Sequence, residues 1–217
     1  MIRRLREPDN GLTHLVGALF ALIALAVMVY LGIRVGSTRH LIAFAIFGLS
    51  LVGLYTASAL YHSLPLGPIG LDRLLRLDCT MVYVLIAGTY TPFCLIAFQG
   101  AWRWGLLTLI WAFALIGSLV KLRMMDAPIW LSTGIYIAMG WLAVLATPAF
   151  FATVPLAGIL WVIVGGIVYT IGAVIFAIER PKLRPGVFGA HALWHVLVIG
   201  GSACHVWAVV RYLTPLA

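Results

Sequence analysis

Three histidines and an aspartate, His62, Asp78, His191 and His195, lie inside stretches of sequence that are otherwise almost wholly apolar. Imidazole nitrogens and carboxylate oxygens are ordinary zinc ligands. Three imidazoles leave a fourth position for water, the form catalytic zinc sites take. His191 and His195 are four residues apart and so project from one side of a helix. Ser58 and His62 share that spacing on another segment. With the three imidazoles as ligands, Asp78 is placed to accept a hydrogen bond from the water or to orient a ligand. Ser58 is placed to steady the water or a substrate carbonyl. The plain alternative is that histidines at this spacing are polar contacts between helices. The arrival of His62 and Asp78 at the same depth favours the metal, because ionisable groups inside a membrane are costly and by default mark a functional site.

That depth follows from the elements carrying these residues. The chain has 217 residues, of which 64% are hydrophobic and 9% charged, a composition that belongs in lipid. Crossing a hydrocarbon core takes about 20 apolar residues. Seven stretches qualify, at roughly 12–33, 41–64, 75–98, 104–120, 128–148, 155–178 and 187–213. The connections between them are short, so the expectation is one all-α integral membrane domain, a seven-helix bundle over residues 1–217. The second segment ends just past His62. The third begins about one turn before Asp78, and the seventh begins about one and two turns before His191 and His195.

The net charge of +8 does not indicate nucleic acid, because the basic residues are distributed by topology. Arg3, Arg4, Arg6, Arg73, Arg76, Lys121, Arg123, Arg180, Lys182 and Arg184 fall on one side of the membrane. Only Arg34, Arg39, Arg103 and Arg211 fall on the other. The positive-inside rule then places the N-terminus in the cytoplasm and the C-terminus outside, with the histidines near the cytoplasmic face. The uncharged stretch from Ala149 to Val154 reads as an outer turn. The apolar stretch from Leu15 to Ile33 is too long for a signal-peptide core and reads as a retained helix. Cys79, Cys94 and Cys204 do not form a disulfide framework and read as small packing residues.

Several local expectations follow. Asp9 and Asn10 are candidate caps for the first helix, and Asp126 for the fifth. Pro92, after Gly88-Thr89-Tyr90-Thr91, should disturb the third helix. Trp102, Trp104 and Trp130 suit an interfacial belt, whereas Trp194, between two histidines, does not. His14 reads as a capping or interfacial histidine in preference to a ligand. His40 falls in an outer loop and reads as solvated. His205 is about 15 Å deeper than His195, beyond the same metal sphere; it lines a cavity or, better, bonds a neighbouring helix. Thr89, on the face of Asp78, continues a polar stripe or packs between helices.

Beside these readings, the chain resembles the bacterial haemolysin III proteins, the bacterial branch of the progestin and adipoQ receptor family. The resemblance is carried by Glu7-Pro8-Asp9-Asn10 with Thr13-His14, Ser58-Ala59-Leu60-Tyr61-His62, Leu77-Asp78, Ala87-Gly88-Thr89-Tyr90-Thr91-Pro92, Met139-Gly140-Trp141 and His191-Ala192-Leu193-Trp194-His195. It implies a seven-helix bundle in a bacterial cell membrane, N-terminus inside, with zinc held by His62, His191 and His195. In related receptors the equivalents of Asp78 and Ser58 flank the metal, at a site associated with hydrolysis of a ceramide-like lipid amide. The bacterial branch is variously described as haemolytic, pore-forming or active in membrane homeostasis.

Three functions are therefore in competition. A zinc-dependent hydrolase of a lipid amide or ester needs an open metal position and a base, and Asp78 is the carboxylate available. A lipid-responsive sensor with structural zinc would close the fourth position with a protein ligand. The nearby Cys79 points about 100° away from Asp78 around the helix. A haemolysin-type pore would show rings of charged or carbonyl groups along a path, and the outer halves of the spans carry little beyond His205. The hydrolase ranks first, with a membrane lipid as its partner.

Overall fold

The computed structural model of the chain describes residues 6–125, 127–181 and 188–216. It is all-helical, and seven of its helices are long and apolar enough to cross a membrane. These are α1 (Pro8–Val35), α2 (Thr38–Ser63), α3 (Pro68–Ala97), α4 (Gly100–Arg123), α5 (Ile129–Thr153), α6 (Leu156–Ile178) and α7 (Ala190–Leu213). α1 packs along α2, α2 along α3, α3 along α4 and α6 along α7, while α1 meets α7 to bring the two ends of the chain together.

Lipid chains are as apolar as leucine, so membrane helices hold together by close packing of small residues and by buried hydrogen bonds. The α1–α2 pair shows the first. Gly17 and Gly32 of α1 lie against Tyr55 and Leu41 of α2, and Gly48 of α2 lies against Leu25 of α1. At Gly32 a methyl group would come within 2.9 Å of the Leu41 backbone, so only glycine permits this approach. Gly36, at φ 71°, ends α1 in the left-handed conformation that glycine adopts freely. On the outside, Trp104 and Trp130 are 61% and 68% exposed among many exposed leucines and isoleucines, a surface suited to lipid and its interface.

Three helices depart from α geometry: α7 ends in a π-helix at Val209–Leu213, and α3 and α5 are altered within their length. Pro92 has no N–H to continue the ladder, and the turn after it, Phe93–Ala97, widens to a π-helix. The disturbance expected at Pro92 takes this form. α5 is interrupted by a 3₁₀ stretch at Leu142–Ala146. The Tyr90 hydroxyl fills that break. It accepts from the Ala143 N–H at 2.8 Å and lies 2.6 Å and 2.8 Å from the carbonyl oxygens of Gly140 and Met139, to which it donates. Tyr90→Phe therefore strands buried backbone groups. It is expected to lower stability by about 1–3 kcal/mol, measured as thermal unfolding in detergent.

Four local expectations are corrected. Asp9 and Asn10 do not cap α1: Glu7 holds the N-cap position, and Asn10 instead donates to the Glu7 carboxylate at 2.9 Å. His40 is not in a loop, because α2 starts at Thr38. Its ring is buried and Nε2 donates to the Leu213 carbonyl at 3.2 Å. The outer turn expected over Ala149–Val154 is mostly helix, since α5 runs to Thr153. His205 donates from Nδ1 to Gly201 of its own helix at 2.8 Å, not to a neighbouring one. Its cavity-lining reading does match the structure. Asp126 lies outside the described residues.

Candidate metal centre

His62, in the last turn of α2, meets His191 and His195, in the first turns of α7, at the end of the bundle where α1 begins. One ligand atom from each lies within 4.8 Å of the other two. The ring centroids are 4.9 Å (His62–His191), 5.1 Å (His62–His195) and 4.5 Å (His191–His195) apart. In all three the Nε2 atom is buried and has no hydrogen-bond partner. Buried polar atoms are nearly always paired, so three convergent orphaned imidazole nitrogens are what a nitrogen-ligated divalent metal fits.

The opposite edges of two rings are held. His62 Nδ1 lies 2.6 Å from Glu7 Oε2, and His195 Nδ1 lies 3.1 Å from Thr13 Oγ1. A carboxylate accepts from Nδ1–H, which fixes the tautomer of His62 and leaves the Nε2 lone pair for a ligand. Glu7 is in turn fixed by Asn10 and by Arg6 at 3.0 Å. Arg6 donates to the Tyr61 carbonyl at 2.9 Å, its guanidinium sits 4.4 Å over the Tyr61 ring, and the Glu7 N–H donates to the His62 carbonyl. The segment before α1 is thereby pinned to the last turn of α2. Partial burial raises the affinity of Glu7 for a proton. Hydrogen bonds from Asn10 and His62 and the nearby Arg6 charge outweigh that, leaving its carboxyl below the usual value.

The sequence assigned no role to Glu7 or Thr13. The signal for Glu7 was a carboxylate directly before Pro8, at the depth reached by His62. Second-shell partners of metal-bound histidines typically contribute 10–100-fold to metal affinity. Glu7→Ala is accordingly expected to weaken metal binding by about that factor in a competition titration against a chromophoric chelator. Glu7→Gln, which keeps an acceptor, is expected to lose less.

Ser58 and Asp78 come together next to this cluster. The Ser58 hydroxyl is buried beside the Asp78 carboxyl, but the pair is not set in hydrogen-bonding geometry, and the hydroxyl has no other partner. Asp78 is not one of the groups whose ligand atoms converge. It lines a cavity of about 380 Å³ between α3, α5, α6 and α7. His14 and Trp194 also line this cavity, whereas the three converging histidines do not. His14 is not interfacial, as its place near the helix start suggested. It is 2% exposed, stacked on His195 at 3.5 Å between centroids and edge-on to Tyr55. Trp194 stacks on Phe176 and meets the edge of His191. Cys79 is outside the cluster, and its carbonyl accepts from Tyr136. Thr89 lines the cavity and donates to the Leu85 carbonyl.

The profile of a protein family described as "Haemolysin-III related" matches residues 2–206. The chain belongs to the haemolysin-III-related family. Its relatives include Hemolysin-3 of Bacillus cereus, 35% identical over 97% of this chain and 93% of the relative. A Hemolysin-3 homolog of Bacillus subtilis is 36% identical over 95% of this chain and 93% of the relative. The adiponectin receptor protein of Drosophila melanogaster is 24% identical over 92% of this chain and 49% of its own length. Membership in the haemolysin-III-related family agrees with the resemblance carried by the motifs around Ser58, His62, Asp78, His191 and His195. The chain is thus a multi-pass membrane protein of that family, with three histidines placed to hold a metal ion.

Proposed function

We propose that this protein is a zinc-dependent hydrolase of a lipid amide or ester in the bacterial cytoplasmic membrane, built as one domain with its N-terminus in the cytoplasm. The observation that carries the reading is the convergence of three histidine rings, each with an unpartnered Nε2, beside an apolar cavity that Asp78 lines. His62, His191 and His195 hold the zinc. When bound, zinc supplies Lewis acidity, polarising a carbonyl and bringing the pKa of water towards neutrality.

The chain's own residues do the rest. The cavity wall of Val82, Leu85, Phe93 and Ile159 takes the apolar part of the substrate and excludes water. Asp78 takes a proton at a carboxylate oxygen and returns it to the leaving nitrogen or oxygen. Ser58, with a free hydroxyl beside Asp78, donates to the carbonyl being attacked or holds the attacking water. Glu7 and Thr13 are positioning residues that act through His62 and His195. Three protein ligands fit an open metal position better than the closed four-ligand set of a structural site. A sensor with structural zinc is therefore the second reading. A pore is third, since no Lys or Arg lines the cavity among the described residues.

The test is release of fatty acid from N-acylsphingosine and from a matching ester by zinc-loaded protein in detergent. The account expects turnover that a chelator abolishes and zinc restores. Stoichiometric zinc without turnover on either substrate would favour the sensor.

A further inference from the structure

We propose that His14 and Thr133 form a headgroup-binding pair at one end of the cavity, selective for a lipid head that is uncharged and carries both a hydrogen-bond donor and an acceptor. The proposal rests on the hydrolase reading of the same site and names the residues that recognise its substrate.

Both nitrogens of His14 and the hydroxyl of Thr133 are buried without a hydrogen-bond partner, and both residues line the cavity. His14 is 2% exposed and Thr133 3%. Leaving such atoms unpaired carries a desolvation cost that a ligand's polar head removes. A neutral imidazole offers one donor and one acceptor, and a hydroxyl offers both.

The two residues belong to the same end of the cavity. His14 stacks on His195. Thr133 lies one turn before Tyr136, whose hydroxyl reaches the Cys79 carbonyl, so this part of α5 lies level with Asp78–Cys79 of α3. Beyond them the wall is mostly apolar, through Val82, Leu85, Phe93, Phe150 and Ile159, and polar groups there such as Thr89, Tyr90 and His205 already bond within the protein. The cavity is thus amphipathic, with a polar end beside the metal centre and an apolar length for a chain. Its charge selects the head. Asp78 lines the polar end and, among the described residues, no Lys or Arg lines the cavity; Lys121 is buried near Cys79 but behind that lining, so a phosphate in the cavity would face the carboxylate directly. An amide or hydroxyl head meets no such penalty. Because His14 covers His195 and the ligand histidines do not line the cavity, a head entering it meets His14 before the metal centre.

Equilibrium binding of tritiated N-dodecanoylethanolamine to the full-length, metal-loaded protein in detergent tests this, with tritiated dodecyl phosphate as the charged counterpart. Thr133→Val removes only an unpaired hydroxyl, and His14→Phe keeps a ring on His195 while removing both nitrogens. Each is expected to weaken amide binding about 3- to 10-fold at wild-type metal content. Dodecyl phosphate is expected to bind more weakly and to be indifferent to Thr133→Val. Unchanged amide affinity in metal-loaded Thr133→Val and His14→Phe overturns the proposal, as does tighter binding of the phosphate. If His14→Phe fails to fold, Thr133→Val decides alone. Wild-type protein that binds the amide, loses affinity in both variants and yet carries no metal would support the pair while defeating the metal reading.

Discussion

His195→Ala is expected to abolish stoichiometric metal binding and, with it, the difference in melting temperature between metal-loaded and chelator-treated protein. The three Nε2 atoms come from two helices, so an ion held by them ties α2 to α7. A ligand at 1,000 times its Kd stabilises the folded state by about 4 kcal/mol, and losing one of three histidines should remove most of that. His195→Ala also loses the Thr13 contact and the His14 stack, and so carries a metal-independent cost. Chelator sensitivity separates the two effects. Wild type should lose several degrees on treatment and recover with zinc, while the variant should respond to neither. A variant that still shifts with zinc would mean that the metal sits elsewhere.

Asp78→Asn is the second large effect, and it should leave the metal in place. Asparagine matches aspartate in shape and can still sit beside Ser58, but it takes up no proton. Positioned general bases contribute about 100- to 10,000-fold, so hydrolysis of an N-acyl lipid should fall by that order at unchanged zinc content. Asp78 is outside the group of converging ligand atoms, which is why content and turnover are expected to separate. Turnover within about threefold of wild type would remove Asp78 from the chemistry, since it is far below the general-base range. Loss of zinc in this variant would instead make the carboxylate part of the metal's support.

The seven helices, and the meeting of His62, His191 and His195 near one end of the bundle, were legible from run length and spacing. What surrounds them was not. A helix apolar all round carries no periodic signal of which face turns inward, so sequence could not show that His14 lies flat on His195 or that His205 bonds within its own helix. Glu7, read in the sequence only as part of a motif, was given no role for a different reason. Its role depends on the chain before α1 folding across the last turn of α2, a tertiary path set by Arg6 and the His62 carbonyl. His40 was misplaced because α2 begins at Thr38, before its apolar run does. The break in α5 has a local mark in Pro148, which has no N–H to bond back to Val144, but that Tyr90 of another helix fills it was not readable. The three histidines that converge were readable as a pattern, whereas the groups that hold their rings became apparent only in the fold.

The measurement that bears most directly on the central claim is metal content by elemental mass spectrometry, on wild-type protein purified in detergent without chelator beside His191→Ala. The account predicts about one zinc per chain in the wild type, as a three-histidine site should hold, and its loss in the variant. No stoichiometric metal in the wild type, or zinc retained after His191→Ala, would contradict it and leave these histidines as polar contacts between α2 and α7.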